Sequence, residues 1–150
     1  MSLKLHLKRS NYTLDKAIIS MKAKFDDTRM LFLTRTCKKL KYLEICGSGV
    51  IGDSLTVALP HAKGLETIVL GQNCEISLAV VQSVLKICQQ TLVETTFLRV
   101  KGNRYGFQLD QWPELQSLRT LNLRSSGTSI LSMVSADDSL YHCITLDLTC

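Results

Sequence analysis

Three glycines in the stretch LEICGSGVIGDSL have the spacing of a turn that binds phosphate. Gly47, Gly49 and Gly52 form a G-x-G-x-x-G pattern. In such a turn the first glycine allows a tight bend, the second admits a pyrophosphate to the backbone, and the third lets a helix pack closely on a strand. The preceding KYLEIC alternates like a strand, and Asp53 is placed to cap a helix beginning at Ser54. One interpretation is therefore a fragment of a dinucleotide-binding oxidoreductase.

The neighbouring sequence disfavours that interpretation at three points. Pro60 would end the following helix after little more than a turn and a half. Leu70, Gly71 and Gln72 stand at the end of the next strand, where an acidic residue would bind the ribose. Asp53 would also bring a negative charge close to the phosphate. An isolated G-x-G-x-x-G is weak evidence, so we favour an interpretation that explains the surrounding residues as well.

No pattern of catalytic or metal-binding residues is present in the sequence. The six cysteines contain no C-x-x-C pair, and the three histidines form neither H-x₃₋₅-H nor H-E-x-x-H. We interpret the cysteines as reduced, mostly buried thiols. The acidic pairs Asp26-Asp27 and Asp137-Asp138 are typical of helix starts and loops. We predict that the protein is not an enzyme and uses no cofactor and no metal.

Length and composition predict a single domain over residues 1–150. The chain is 45% hydrophobic and 21% charged, with a net charge of +5, and its acidic and basic residues are mixed. This balance permits an acidic partner without indicating nucleic acid. No apolar run is long enough for a membrane span, and the alternating N-terminus is unlike a signal peptide. We therefore expect a cytoplasmic or nuclear protein that contacts neither nucleic acid nor membrane.

The residues before the glycines belong to a pattern that recurs along the chain. L-x-x-L-x-[LI] begins at Leu40, Leu65 and Leu118, and weaker copies begin at Thr95 and Cys143. Successive copies are 25, 30, 23 and 25 residues apart, close to the period of leucine-rich repeats. The fourth position of each copy is taken by Leu43, Ile68, Leu98, Leu121 and Leu146. The third copy has an alternative register in which Leu92, Thr95 and Phe97 are the core positions.

Other segments predict elements around these strands. Ser77 is placed to cap a helix with Leu78, Val81, Leu85 and Cys88 along one face, and a second helix from Asp26 carries Met30, Leu33 and Cys37. Residues 1–36 are open between strands and helix, although Leu14, Ala17 and Ile19 have the spacing of Leu40, Leu43 and Ile45. Residues 102–113, with Trp112, are expected to form a loop.

Residues 37–45 and 51–55 resemble the cysteine-containing leucine-rich repeat of F-box proteins, especially fungal ones. That repeat reads roughly C-x-x-L-x-x-L-x-L-x-x-C-x-x-I-[TS]-D-x-x-L, and the present sequence departs from it at Ser48 and Ala62. The resemblance covers about residues 37–150. It implies an α/β leucine-rich-repeat solenoid of about five to six repeats, a right-handed horseshoe arc with parallel strands on its concave face and helices on its convex face. Residues 1–36 would be degenerate N-terminal repeats.

The same resemblance implies a protein-binding function. The chain would be the substrate-recognition region of an F-box component of a cullin-type ubiquitin ligase, acting in protein degradation. A cullin adaptor would bind only through an F-box outside this chain. The last copy lacks a polar capping segment, so we expect a piece of a longer protein, a truncated product, or a chain that meets a partner edge to edge. The alternative is a generic intracellular leucine-rich-repeat scaffold.

Alternation along the repeat strands predicts which residues face the partner. Arg99, Lys101 and Arg124 would cluster beside Phe97 and suit an acidic or phosphorylated protein substrate, or they are an ordinary solvated mixture of charges. The alternative register of the third copy would bury Phe97 and remove this cluster. The candidate residues are Tyr42, Glu44, Thr67, Val69, Phe97, Arg99, Lys101, Thr120, Asn122 and Arg124.

Overall fold

The recurring apolar pattern folds into strands that lie side by side in chain order. The computed structural model is a mixed α/β fold with a largely parallel sheet that is not closed. Six strands follow one another as parallel neighbours, and the first strand of the chain pairs antiparallel with the second. The structure describes residues 4–10, 13–21, 27–47, 49–71, 74–101, 115–125 and 145–149.

Two ladders of strands and three helices make up the described fold. The main ladder is β1 (Lys4–Ser10), β2 (Thr13–Met21), β3 (Tyr42–Gly47), β5 (Thr67–Leu70), β7 (Glu94–Lys101), β8 (Thr120–Ser125) and β9 (Thr145–Thr149). A second ladder joins β4 (Gly49–Ile51) and β6 (Cys74–Ser77) to the end of β7. The helices are α1 (Asp27–Thr36), α2 (Asp53–Ala58) and α3 (Leu78–Ile87).

The register keeps equivalent apolar residues of neighbouring strands together. Leu43 of β3 pairs with Ala17 on one side and Ile68 on the other, and all three are buried. Residues 13–21 therefore form a strand rather than a helix, aligned as their spacing with 40–45 indicated. Because side chains alternate between the faces of a strand, one face of the sheet is apolar along its length.

The third copy of the pattern adopts its alternative register. Thr95 pairs with Ile68 and Phe97 pairs with Leu70, and both Thr95 and Phe97 are fully buried. The assignment of Leu98 as the fourth position is wrong, and so is the placement of Phe97 on the partner-binding face. An aromatic ring buries more apolar area than leucine, which favours this register although it also buries the Thr95 hydroxyl. The ladder shifts between Phe97 and Val100, and Leu98 becomes half-buried.

The helices pack on the apolar face of the sheet and complete one core. On α3, Leu78, Val81 and Leu85 are buried, and the Ser77 hydroxyl accepts a hydrogen bond of 3.3 Å from the Val80 N–H. The predicted capped helix is confirmed. α1 likewise buries its predicted Met30 and Leu33. Within the described ranges, none of the helices has the length and apolar character needed to cross a lipid bilayer.

α2 differs from its predicted start and agrees with its predicted end. The helix begins at Asp53 with Gly52 as its N-cap, so the prediction that Asp53 itself caps the helix is wrong by one residue. Glycine is acceptable at an N-cap, and an acidic residue is also favourable in the first turn. Leu59–His61 continues as a 3₁₀ turn containing Pro60, which confirms that the proline ends the helix. The predictions for Asp26, Asp137, Asp138 and residues 102–113 lie outside the described residues.

Thr95→Val is expected to raise the free energy of unfolding by about 1 kcal/mol, because valine removes a buried hydroxyl that has no partner. Urea unfolding measures the change. Thr34→Val is the matched control, since Thr34 is equally buried but its hydroxyl donates to the Met30 and Leu31 carbonyls at 3.1 and 3.2 Å. Thr34→Val is expected to lose stability. Equal losses in the two variants would contradict the account of Thr95.

Candidate functional site

One face of the sheet is polar and retains partial exposure; we call it the outward face. Its side chains alternate with the core residues and stand in columns across the strands. The register aligns Tyr42 with Thr67, Glu94 and Thr120, and it aligns Glu44 with Val69, Thr96 and Asn122. The outward face comprises Lys16, Ile18, Tyr42, Glu44, Cys46, Thr67, Val69, Gly71, Glu94, Thr96, Leu98, Thr120 and Asn122, all half-buried except the exposed Glu94.

Six of the ten candidate residues lie on the outward face, and Phe97, Arg99 and Lys101 do not. Phe97 is in the core. Arg99 and Lys101 lie where β7 leaves the main ladder for the second one, and Arg124 is on β8 with its side chain outside the described part. The six residues on the outward face are Tyr42, Glu44, Thr67, Val69, Thr120 and Asn122.

Sequence reasoning missed several outward residues for identifiable reasons. The alternative register of the third copy places three of them, Glu94, Thr96 and Leu98, on the outward face. Lys16 and Ile18 lie on the outward face because residues 13–21 form a strand whose apolar spacing matches that of residues 40–45. The signals were therefore present, but each depended on a choice between two registers or two kinds of element.

Glu44 organises the middle of the outward face. The Tyr42 hydroxyl donates to Glu44 Oε2 at 2.7 Å, and the Cys46 thiol donates to Glu44 Oε1 at 3.3 Å. Lys16 Nζ lies 3.9 Å from the centre of the Tyr42 ring, on the neighbouring strand. Both carboxylate oxygens are thus engaged, which fixes the side chains of this part of the face.

The Glu44 cluster suits hydrogen bonding better than acid–base or nucleophilic chemistry. Burial, and then the hydrogen bond to Glu44, raises the pKa of Tyr42 to about 12. The same causes, in the same order, raise the pKa of the Cys46 thiol to about 11. Both groups therefore stay protonated near neutral pH. A thiol reacts as its thiolate, so Cys46 is a hydrogen-bond donor rather than a nucleophile.

Alkylation of Cys46 by iodoacetamide at pH 9 is expected to be about five- to tenfold slower than that of an unperturbed thiol. The raised pKa reduces the thiolate fraction, and the greater basicity of the remaining thiolate offsets only part of the loss. Mass spectrometry of each modified cysteine measures the rate. Glu44→Gln removes a charge that raises this pKa and should speed the reaction, whereas Glu66→Gln, whose glutamate contacts Lys41, should not. An unchanged rate in Glu44→Gln would contradict the coupling.

A half-buried carboxylate organises the basic residues at the end of β7. Lys101 Nζ lies 2.7 Å from Glu75 Oε1, and Arg99 Nη2 lies 3.8 Å from Glu75 Oε2. The Glu75 side chain is only 16% exposed, against 47% for Arg99 and 62% for Lys101. Two cations therefore share one carboxylate and carry a net positive charge. Glu75 comes from β6, on a separate ladder, and no pattern in the sequence indicates that it contacts these residues.

The glycine-rich stretch lacks two features of a turn that binds a pyrophosphate. Gly47 ends β3 and Gly49 begins β4, but the following α2 has only six residues. A Cβ built on Gly52 meets no atom within 4 Å, so close packing of helix on strand does not require a glycine there. The three glycines instead end one strand, begin the next and form the N-cap of α2.

The cysteines show no arrangement for metal or redox chemistry in the described part of the chain. Cys37, Cys46, Cys74 and Cys88 are free thiols, and no cluster of three metal-ligating residues was found among the described residues. Burial raises the pKa of Cys88 to about 12 and also raises that of Cys74. Cys74 and Cys88 therefore pack as small apolar residues of the core.

A scan against protein-family models, a search of curated proteins and a search of solved structures found no match to this chain. The register of the sheet and the chemistry of the outward face are thus the observations that bear on function.

Proposed function

We propose that the chain is a leucine-rich-repeat module that binds a protein on the outward face of its sheet. The observation that carries this proposal is the register. Strands from successive copies of one sequence pattern lie as parallel neighbours, with their core positions aligned. Repeats stacked in this way present an extended, ordered surface, which is how solenoid proteins bind partners. On this proposal the outward face is the concave face of the solenoid.

The side chains of the outward face support a protein as the ligand. Tyr42, Val69 and Leu98 supply half-buried apolar area, and threonines between them supply hydroxyl groups. A mixture of aromatic, aliphatic and uncharged polar groups is typical of protein interfaces. The fixed Glu44 cluster would also reduce the side-chain entropy lost on binding.

Among leucine-rich-repeat modules that bind proteins, we assign the chain to the substrate-recognition regions of F-box components of cullin-type ubiquitin ligases. It rests on the resemblance of residues 37–45 and 51–55 to the cysteine-containing repeat. The positions of two cysteines support it, since Cys37 directly follows α1 and Cys88 directly follows α3. The pattern places its leading cysteine at the end of a helix in the same way. A cullin adaptor would bind an F-box, which has to lie outside this chain.

Capture of the native protein from its own cells tests the proposal. Intact mass and identification of co-purifying proteins are measured for the wild type, for Thr67→Arg with Val69→Arg on the outward face, and for Val57→Arg on an exposed position of α2. We expect a bound protein that the double variant loses and Val57→Arg retains. A partner retained equally by both variants would contradict binding at the outward face.

The same capture separates the ligase from a generic scaffold. A longer chain bound to a cullin adaptor is expected if the F-box assignment holds. A bound partner without an adaptor, on a chain of about this mass, would overturn that assignment and leave the scaffold.

A further inference from the structure

We propose that the bound segment of the partner places an apolar side chain over Gly71 and an Asp or Glu carboxylate against Arg99. This proposal rests on the proposed function and specifies the chemistry of the partner. Two features carry it: a gap at Gly71 on the outward face, and an incompletely engaged cation at Arg99, where β7 leaves the main ladder.

The gap arises because Gly71 is an outward position without a side chain. A Cβ built there would lie 3.5 Å from the Ile45 carbonyl oxygen and 3.6 Å from Cys46 Sγ, which are ordinary contact distances. Its φ also lies outside the left-handed region. Gly71 directly follows β5, and neither crowding nor the backbone requires glycine there.

The surroundings of the gap are largely apolar. Cys46 lies on one side, and Leu98 lies on the other because Leu70 and Phe97, the residues before Gly71 and Leu98, are paired. Val69 is the next outward residue on the same strand. All three side chains are half-buried, so an apolar group placed over Gly71 would cover their remaining exposed surface.

Arg99 adds a charge one residue beyond Leu98, at the point where β7 leaves the main ladder for the second one. Arg99 Nη2 lies 3.8 Å from Glu75 Oε2, which is beyond hydrogen-bond distance, whereas Lys101 Nζ lies 2.7 Å from the other oxygen of that carboxylate. The guanidinium is half exposed and has five donors in a planar fork. A second carboxylate can therefore bind it in a bidentate manner.

The charges elsewhere on the face favour a peptide over a polyanion. Glu44 lies in the adjacent column and Glu94 in the column beyond it, and both would repel a chain of phosphates. An apolar gap beside a single cation instead fits a segment in which one apolar residue and one acidic residue are close together.

A random library of unphosphorylated twelve-residue peptides, selected on the full chain, tests this pairing. We expect enriched peptides to carry an apolar residue within three positions of Asp or Glu. Affinities of one enriched peptide are then measured for two variants and their controls. Gly71→Val should weaken binding at least tenfold and Gly64→Val should not, since Gly64 lies in a turn off this face. Arg99→Gln should weaken it about tenfold, and Lys86→Gln, at an exposed position of α3, should not.

Thermal unfolding checks that each variant is folded. If Gly71→Val is not folded, Leu98→Ala, which removes a side chain next to the gap, is measured in its place. Three results would each overturn the proposal. The first is enrichment of basic peptides, and the second is failure to enrich an apolar residue close to Asp or Glu. The third is an affinity that changes in neither Gly71→Val nor Arg99→Gln. If those results appear while a native partner is still lost in the Thr67 and Val69 double variant, this inference fails and the proposed function stands.

Discussion

Replacing Phe97 with alanine is expected to lower the free energy of unfolding by about 3–5 kcal/mol. The ring is fully buried at a position that pairs with Leu70 of the neighbouring strand, so its removal leaves a cavity between the sheet and the helices. Neighbouring core residues are already packed in a central strand and can close the cavity only in part. The loss should therefore be near the upper end for a single substitution.

Leu98→Ala is the matched control for Phe97→Ala. Leu98 is the next residue, and it is half-buried on the outward face, so its truncation should cost less than about 1 kcal/mol. Urea unfolding followed by circular dichroism measures both variants. The opposite order, with Leu98→Ala the more destabilising, would contradict the register and place Phe97 on the outward face.

Leu85→Ala is expected to lower the free energy of unfolding by about 2–5 kcal/mol. Leu85 is fully buried on α3, where that helix packs on the sheet. An isolated helix of ten residues is marginal in water, so α3 depends on this packing. Alanine is at least as good a helix former as leucine, so the loss reports packing rather than helix propensity.

Lys86→Ala is the control for Leu85→Ala, because Lys86 is the next residue of α3 and is exposed. It should change the free energy of unfolding by no more than about 0.5 kcal/mol. Urea unfolding again provides the measurement. Similar effects of the two substitutions would contradict the packing of α3 on the sheet.

The regular parts of the fold could be predicted from the sequence because their apolar patterns are compatible with only one strand register or one helix face. The copies beginning at Leu40, Leu65 and Leu118 place leucine or isoleucine at every core position, and the strands align accordingly. The helix after Ser77 combines a good N-cap with an apolar face. Local preference and burial agree in these segments.

The third copy could not be assigned in the same way. Phe97 and Leu98 are adjacent apolar residues, and a shift of one residue exchanges the two faces of a strand. The competing costs were a buried threonine hydroxyl at Thr95 and an exposed aromatic ring at Phe97. The size of the ring decides between them, and this depends on the space left by neighbouring strands rather than on the pattern itself.

The residues of the candidate site could be predicted only in strands whose register could be predicted. Tyr42, Glu44, Thr67 and Val69 reach the outward face by simple alternation. The contact of Arg99 and Lys101 with Glu75 depends on the second ladder, which joins residues 24 and 26 positions apart in the chain. Nothing in the local sequence encodes a contact of that kind.

Site-specific photocrosslinking in the native cells tests the central claim most directly, namely that the outward face contacts a protein. A benzophenone amino acid is introduced in place of Thr67 on the outward face and, separately, in place of Val57 on the exposed side of α2. We predict a discrete crosslinked protein from position 67 and none from position 57. A product from position 57 alone, or none from position 67, would contradict binding at the outward face.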